Sequence, residues 1–113
     1  MTREEVHALV MSLPAVEEGT SYGKPAYKLN GKFFTRLRVV DDSIALKMDF
    51  ETRDLMMEIA PEVFFLTDHY RPWPYVLARI EHIEPDQLRS ILTRTWREQA
   101  PKKLQKLHPE IAE

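Results

Sequence analysis

An Asn-Gly pair at positions 30 and 31 constrains the fold of this chain more than any other feature. It joins two runs with β-strand composition, PAYKLN and KFFTRLRVV. Both residues readily adopt the positive φ angles that a two-residue hairpin turn requires. The runs therefore predict an antiparallel hairpin over residues 25–40. The sequence Asp-Asp-Ser at 41–43 marks a second turn before the alternating run IALKM, so a three-strand meander is expected.

The predicted register of the hairpin assigns its side chains to two faces. A two-residue turn makes Leu29 oppose Lys32 and Tyr27 oppose Phe34, and opposed residues share a face. Arg36 then follows Phe34 on the same side of the strand. The sequence thus predicts a face that combines cations with aromatic rings, formed by Tyr27, Leu29, Lys32, Phe34, Arg36 and Arg38.

Helical patterns lie on both sides of this meander. Thr2 and Glu5 have the spacing of a capping box, and apolar residues then recur at helical intervals up to Pro14. Residues 50–60 predict a second, short helix. Pro85 begins the clearest helical pattern, in which Leu, Ile and Trp side chains fall on one stripe.

The remaining segments complete the predicted domain. The polar segment from Ala15 to Lys24 is interpreted as a loop because it contains two of the three glycines. YVLARI, residues 75–80, is dense in large apolar residues and predicts a buried strand. This order of elements indicates one α+β domain over residues 1–113, in which N-terminal and C-terminal helices pack on one face of an antiparallel sheet.

Composition argues against several classes of protein. The 113 residues carry a net charge of −2, which argues against coating nucleic acid or anionic lipid by overall charge. The absence of cysteine excludes disulfides and thiolate chemistry. The acidic N-terminal sequence does not have the pattern of an export signal, and no apolar run approaches the ~20 residues of a membrane span. We therefore expect a cytoplasmic protein without a membrane partner.

Motifs for catalysis, metals and nucleotides are weak. The four histidines stand apart in sequence without the spacing of metal ligands, so neither a metal nor a cofactor is expected. Gly19 and Gly23 precede a strand, whereas phosphate-binding loops lead from a strand into a helix. Asp68 and His69 would point to opposite sides of an extended chain, which favours structural roles. No catalytic residue is assigned, and a protein that is not an enzyme is the favoured interpretation.

Four segments together resemble the MmcQ/YjbR family: TSYGKPAYK, GKFFTRL, FFLTDHYRPWPYVLARI and WREQAPKKL, in this order. The likeness extends from about Leu13 to Leu104. It implies an α+β fold similar to that of CyaY, the bacterial frataxin. Such proteins are commonly described as predicted DNA-binding proteins with a double-wing motif, so the implied partner is DNA. Iron binding is not implied, because the first helix lacks the sustained acidic ridge of frataxin.

Two functional hypotheses follow. In the first, the chain is a nucleic-acid-binding module that contacts phosphates and stacks on bases; its residues are Lys32, Arg36, Arg38, Arg71, Tyr27 and Trp73. In the second, the two polar family motifs meet in a pocket for a small ligand or anion; its residues are Ser21, Tyr22, Lys24, His69, Arg71 and Trp73. A third interpretation is a protein-interaction domain that uses an exposed sheet edge or the region of Trp73.

Overall fold

The computed structural model describes residues 1–112, which form a six-stranded antiparallel sheet with five helices. The helices are α1 (Arg3–Met11), α2 (Phe50–Ile59), α3 (Pro85–Gln99), α4 (Lys102–Leu107) and α5 (Pro109–Ala112). The strands are β1 (Val16–Ser21), β2 (Lys24–Leu29), β3 (Lys32–Arg38), β4 (Ser43–Lys47), β5 (Phe64–Phe65) and β6 (Tyr75–Arg79). Their order across the sheet is β1-β2-β3-β4-β6-β5. The predicted α+β class is confirmed.

Side-chain caps begin the first two helices. At α1, Glu5 N donates to Thr2 Oγ1 at 3.1 Å, and Thr2 N donates to Glu5 Oε1 at 2.8 Å, which is the predicted capping box. At α2, Asp49 accepts from the backbone N–H of Thr52 at 2.8 Å. That hydrogen bond holds the pKa of Asp49 below its usual value. Both helices therefore begin where the local sequence can satisfy their free N–H groups.

The hydrophobic core lies between the sheet and one layer of helices. Val6 and Val10 of α1 pack with Leu88 and Leu92 of α3 against the sheet, and all four are buried. Trp96 is fully buried, and its Nε1 donates to Pro14 O at 2.9 Å. Helices therefore cover one face of the sheet, as predicted. Within residues 1–112, no helix combines the length and the apolar character needed to cross a membrane.

The segment from Ala15 to Lys24 corrects the prediction of a loop. Residues 16–21 form β1, which pairs with β2 along its whole length, and Tyr22-Gly23 makes the turn with positive φ angles of 52° and 76°. Most β1 side chains are polar and outside the core, because β1 is an edge strand held by backbone hydrogen bonds. The meander therefore has four strands instead of three.

The register of the second hairpin also differs from the prediction. Leu29 opposes Lys32 as expected, and the Asn30-Gly31 turn is confirmed. Tyr27, however, opposes Thr35, because Phe34 is an extra residue in β3 that forms a β-bulge. A bulge reverses the alternation of the side chains that follow it.

The prediction that these cations and aromatic rings share one face is therefore wrong. Arg36 opposes Ala45, and Ala45 opposes Leu77. Ala45 and Leu77 belong to a second, smaller hydrophobic cluster with Tyr70. Tyr27 instead belongs to the main core under the helices. Arg36 and Arg38 thus lie on the face of the sheet opposite to α1 and α3.

The two tryptophans provide a direct test of this core. Trp96→Phe should lower the free energy of unfolding by about 2 kcal/mol, since it leaves Pro14 O without its buried donor and removes packed atoms. Trp73→Phe is the control, because Trp73 is 58% exposed, and its effect should stay within about 0.5 kcal/mol. Urea denaturation followed by circular dichroism measures both values. Equal effects of the two substitutions would contradict this assignment.

Candidate functional site

Strands β2 and β3 separate beyond the bulge. Tyr27 and Thr35 are the last paired residues of the two strands within the described chain, so residues 24–26 pair with β1 alone. The end of the β1–β2 hairpin, residues 19–26, is called the arm below. Arg36 bridges the separation: its Nε donates to Pro25 O at 3.1 Å and its Nη2 donates to Ser21 O at 2.9 Å.

A groove of about 520 Å³ lies between the arm, β3 and the loop before β6. We call it the cationic groove; its lining residues are Lys24, Pro25, Arg36, Leu37, Arg38, Val39, Val40, His69 and Tyr70. Lysine and arginine supply its formal charges, and none of these lining residues carries a carboxylate. The groove is therefore suited to an anionic ligand.

Arg38 is one of the three charged side chains that line the groove. Its Nη2 is 3.2 Å from Asp41 Oδ2, and its guanidinium is 5.5 Å from the centroid of the Tyr70 ring. Its Nη1 is shielded from solvent and has no hydrogen-bond acceptor among the described residues. A buried donor without an acceptor is costly. A ligand oxygen that reaches Nη1 would remove this cost.

The loop from Thr67 to Pro74 covers the face of the sheet without helices. Thr67 O accepts from the backbone N–H of Tyr70 at 3.1 Å and from that of Arg71 at 3.2 Å, which turns the chain back on itself. Tyr70 is buried against Ala45 and Leu77. This anchoring brings His69 and Tyr70 to the cationic groove. The loop is thus a structural cover and also one wall of the site.

Arg53 of α2 positions the second half of this loop. Its Nη1 donates to the backbone oxygens of Arg71 at 3.1 Å, Trp73 at 2.9 Å and Tyr75 at 3.4 Å. The Arg53 side chain is only 8% exposed, and its guanidinium lies 4.7 Å from the centroid of the Phe50 ring. Sequence reasoning missed this residue, because an arginine in a short helix carries no signal that distinguishes a buried donor from a solvated charge.

The residues of the nucleic-acid hypothesis are not all brought together. Arg36 and Arg38 line the cationic groove. Lys32 lies beside the Asn30-Gly31 turn, at the other end of β3. Arg71, whose side chain is 64% exposed and 3.7 Å from Asp68, and Trp73 are outside the lining.

Tyr27 is not available for stacking on a base. Only 7% of it is exposed, and its hydroxyl lies 2.7 Å from His7 Nδ1. Burial, together with the nearby Glu18 carboxylate, raises the pKa of Tyr27. The physical reason is the bulge at Phe34, which separates the face of Tyr27 from that of the arginines. The predicted stacking role of Tyr27 is therefore corrected.

The residues of the pocket hypothesis converge in part. Lys24 and His69 line the same groove, as that hypothesis requires. Ser21 takes part through its backbone oxygen, which accepts from Arg36. Tyr22 is 99% exposed at the tip of the arm, and neither it nor Trp73 is among the lining residues. Residues 1–112 contain no group of three or more histidine or carboxylate side chains placed to hold a metal ion.

Comparison with known proteins identifies the family. The sequence profile of the YjbR family matches residues 11–98. The chain belongs to the YjbR family. An uncharacterized protein of Mycobacterium bovis and one of Mycobacterium tuberculosis are each 43% identical to it over 44 residues. The match covers 39% of this chain and 34% of each relative, so it spans about a third of the relatives' length. No solved structure matches this YjbR-family chain.

Substitution of Arg53 tests how the loop is held. Arg53→Met keeps the apolar stem but removes the donor that three backbone oxygens share, so it should lower the free energy of unfolding by about 3 kcal/mol. Arg89→Met, an exposed position on α3, should change it by less than about 0.5 kcal/mol. Chemical denaturation gives the free energies. Amide hydrogen exchange should show faster exchange for residues 70–75 in Arg53→Met, and unchanged exchange there would contradict the role of Arg53.

Proposed function

We propose that this YjbR-family protein binds nucleic acid, with the phosphate backbone lying in the cationic groove. The observation that carries the proposal is the convergence of Lys24, Arg36 and Arg38 on one groove whose lining residues include no carboxylate. Phosphate contacts from lysine and arginine supply most of the affinity of sequence-independent nucleic-acid binding. A local patch of this kind is compatible with a net charge of −2. A cytoplasmic location is part of the proposal.

The three cations differ in how free they are to contact a phosphate. Lys24 is exposed and makes no side-chain hydrogen bond or ion pair within residues 1–112. Arg38 has one nitrogen, Nη1, without an acceptor. Arg36 already donates to two backbone oxygens of the arm. Lys24 and Arg38 are therefore the main phosphate contacts, and Arg36 chiefly sets the width of the groove.

Two hairpin tips flank the groove and offer apolar contacts. Tyr22 lies at the tip of the arm, two residues from Lys24, and takes the stacking role that Tyr27 cannot fill. Val39 and Val40 lie near the tip of the β3–β4 hairpin and are 62% and 84% exposed. Two such projecting hairpins agree with the double-wing description that the family resemblance implies. An aromatic ring beside a cation is a common arrangement for binding single strands.

A small anionic ligand is the second candidate for the same groove. The volume of about 520 Å³ lies within the range of small-molecule pockets, roughly 300–1,000 Å³. The unpaired Nη1 of Arg38 favours a compact anion that can reach a shielded position. This candidate predicts that a mononucleotide binds as tightly as an oligonucleotide, whereas the first predicts that affinity increases with length.

A salt titration tests the proposal. Binding of fluorescent single- and double-stranded oligonucleotides is measured by anisotropy between about 20 and 300 mM salt. The two main phosphate contacts predict a slope of log affinity against log salt of about −1.5 to −2. Lys24→Gln should weaken binding at low salt and reduce the magnitude of the slope by about 1.

Matched variants distinguish binding at the cationic groove from an effect of the overall charge of the protein. Arg89→Gln removes the same charge from the helical side of the molecule and should leave both affinity and slope unchanged. Tyr22→Ala should weaken single-strand binding by about 1–3 kcal/mol if the ring stacks on a base. Absence of binding at the lowest salt, or equal effects of Lys24→Gln and Arg89→Gln, would refute the proposal.

A further inference from the structure

A second cavity lies on the helical side of the molecule, between α2 and α3. Its volume is about 490 Å³, and it shares no lining residue with the cationic groove. The segment from Lys47 to Asp49, which leads from β4 into α2, and one face of α3 contribute most of its walls. We call it the α2–α3 cleft. Its chemistry is therefore independent of the proposed nucleic-acid site.

The floor of the α2–α3 cleft is apolar. Met48, Met56 and Ile91 are partly buried, pack against the main core and line the cleft. Thr95 is buried beside them, and its hydroxyl donates to Ile91 O at 3.3 Å, so the nearest hydroxyl is already satisfied. Methionine side chains adapt to ligands of different shapes. The floor thus favours an apolar group.

Polar side chains of α3 form the rim of the cleft. Gln87, Ser90, Arg94 and Glu98 recur at helical spacing and face the same side of the helix. Within residues 1–112, none of these four side chains makes a hydrogen bond or an ion pair. The other side of α3 is different: Gln99 Nε2 donates to Leu29 O and Phe33 O, both at 3.1 Å. The polar groups at the cleft therefore remain free to bind a ligand.

The free hydrogen-bonding groups around the cleft favour an acid. Asp49 is engaged in capping α2, since its two carboxylate oxygens accept from Thr52 N at 2.8 Å and Thr52 Oγ1 at 2.9 Å. The formal charges of the lining balance, because Lys47 and Arg94 are matched by Asp49 and Glu98. Only the Glu98 carboxylate, however, has its oxygens free. Two free cations therefore stand against one free carboxylate, and these free donors suit a carboxylate rather than an ammonium group. Arg94 offers the planar pair of donors that a carboxylate accepts.

We propose that the α2–α3 cleft binds a small amphipathic organic acid. Its apolar body lies on Met48, Met56 and Ile91, and its carboxylate accepts hydrogen bonds from Arg94. Ser90 and Gln87 supply further donors at the rim. A volume of about 490 Å³ and a mostly apolar lining with a few polar groups are typical of small-ligand sites.

Octanoate is the probe, with octanol and octylamine as matched ligands of the same chain length. Binding is followed by NMR of ¹³C-labelled methionine methyl groups and by calorimetry. Octanoate should cause saturable shifts at Met48 and Met56. It should bind about tenfold or more tightly than octanol, because a charge-assisted hydrogen bond adds to the apolar contact. Absence of saturable shifts, or equal affinity for octylamine, would overturn the proposal.

Substitutions on α3 test where the carboxylate of octanoate binds. Arg94→Gln should weaken octanoate binding about tenfold, to the level of octanol. Arg89→Gln removes an exposed arginine of the same helix outside the cleft and should leave binding unchanged. Glu98→Gln should leave binding equal or make it tighter, because it removes a repelling carboxylate. Weaker binding in Glu98→Gln would mean that a cationic group is recognised and would overturn the assignment of an acid.

Discussion

The arrangement of this protein depends on one extra residue in β3. Phe34 forms the bulge opposite the Tyr27–Lys28 pair and enters the core, where it is 1% exposed. Without the bulge, Phe34 would pair with Tyr27, and the alternation of β3 would direct Arg36 and Arg38 toward the helices, where unpaired guanidinium groups would be costly to bury. The bulge instead turns them to the other face. It also ends the pairing of β2 with β3, and this separation opens the cationic groove.

Three segments of the chain are held by side-chain donors that reach backbone oxygens distant in sequence. Arg36 holds the arm, Arg53 holds the loop before β6, and Trp96 holds the chain after α1. A guanidinium is well suited to this role, because several N–H groups on one plane can satisfy neighbouring carbonyls. These contacts satisfy backbone groups where no strand or helix does so. Two of these donors, Arg36 and Arg53, are therefore cations that stabilise the fold.

The two cavities differ in chemistry because they lie on opposite sides of the sheet. The cationic groove is formed where two strands part, so its walls are strand and loop residues with charged ends. The α2–α3 cleft is formed where two helices of one layer do not meet, so its floor is the edge of the main core. Met48 and Met56 are therefore partly exposed there. The ligands that we propose differ accordingly: an anionic polymer for the groove and a small amphipathic acid for the cleft.

Elements whose signals are local can be predicted from the sequence. The capping box at Thr2, the stripe on α3 and the Asn30-Gly31 turn each depend on residues a few positions apart, and each is confirmed. The family resemblance is confirmed as well. The tertiary structure alone decided that β1 is a strand, because a polar edge strand is specified by its partner's backbone rather than by its own pattern. The face on which Arg36 lies and the burial of Arg53 also follow only from the tertiary structure. Neither a bulge nor a hydrogen bond to a carbonyl distant in sequence produces a periodic pattern of residues.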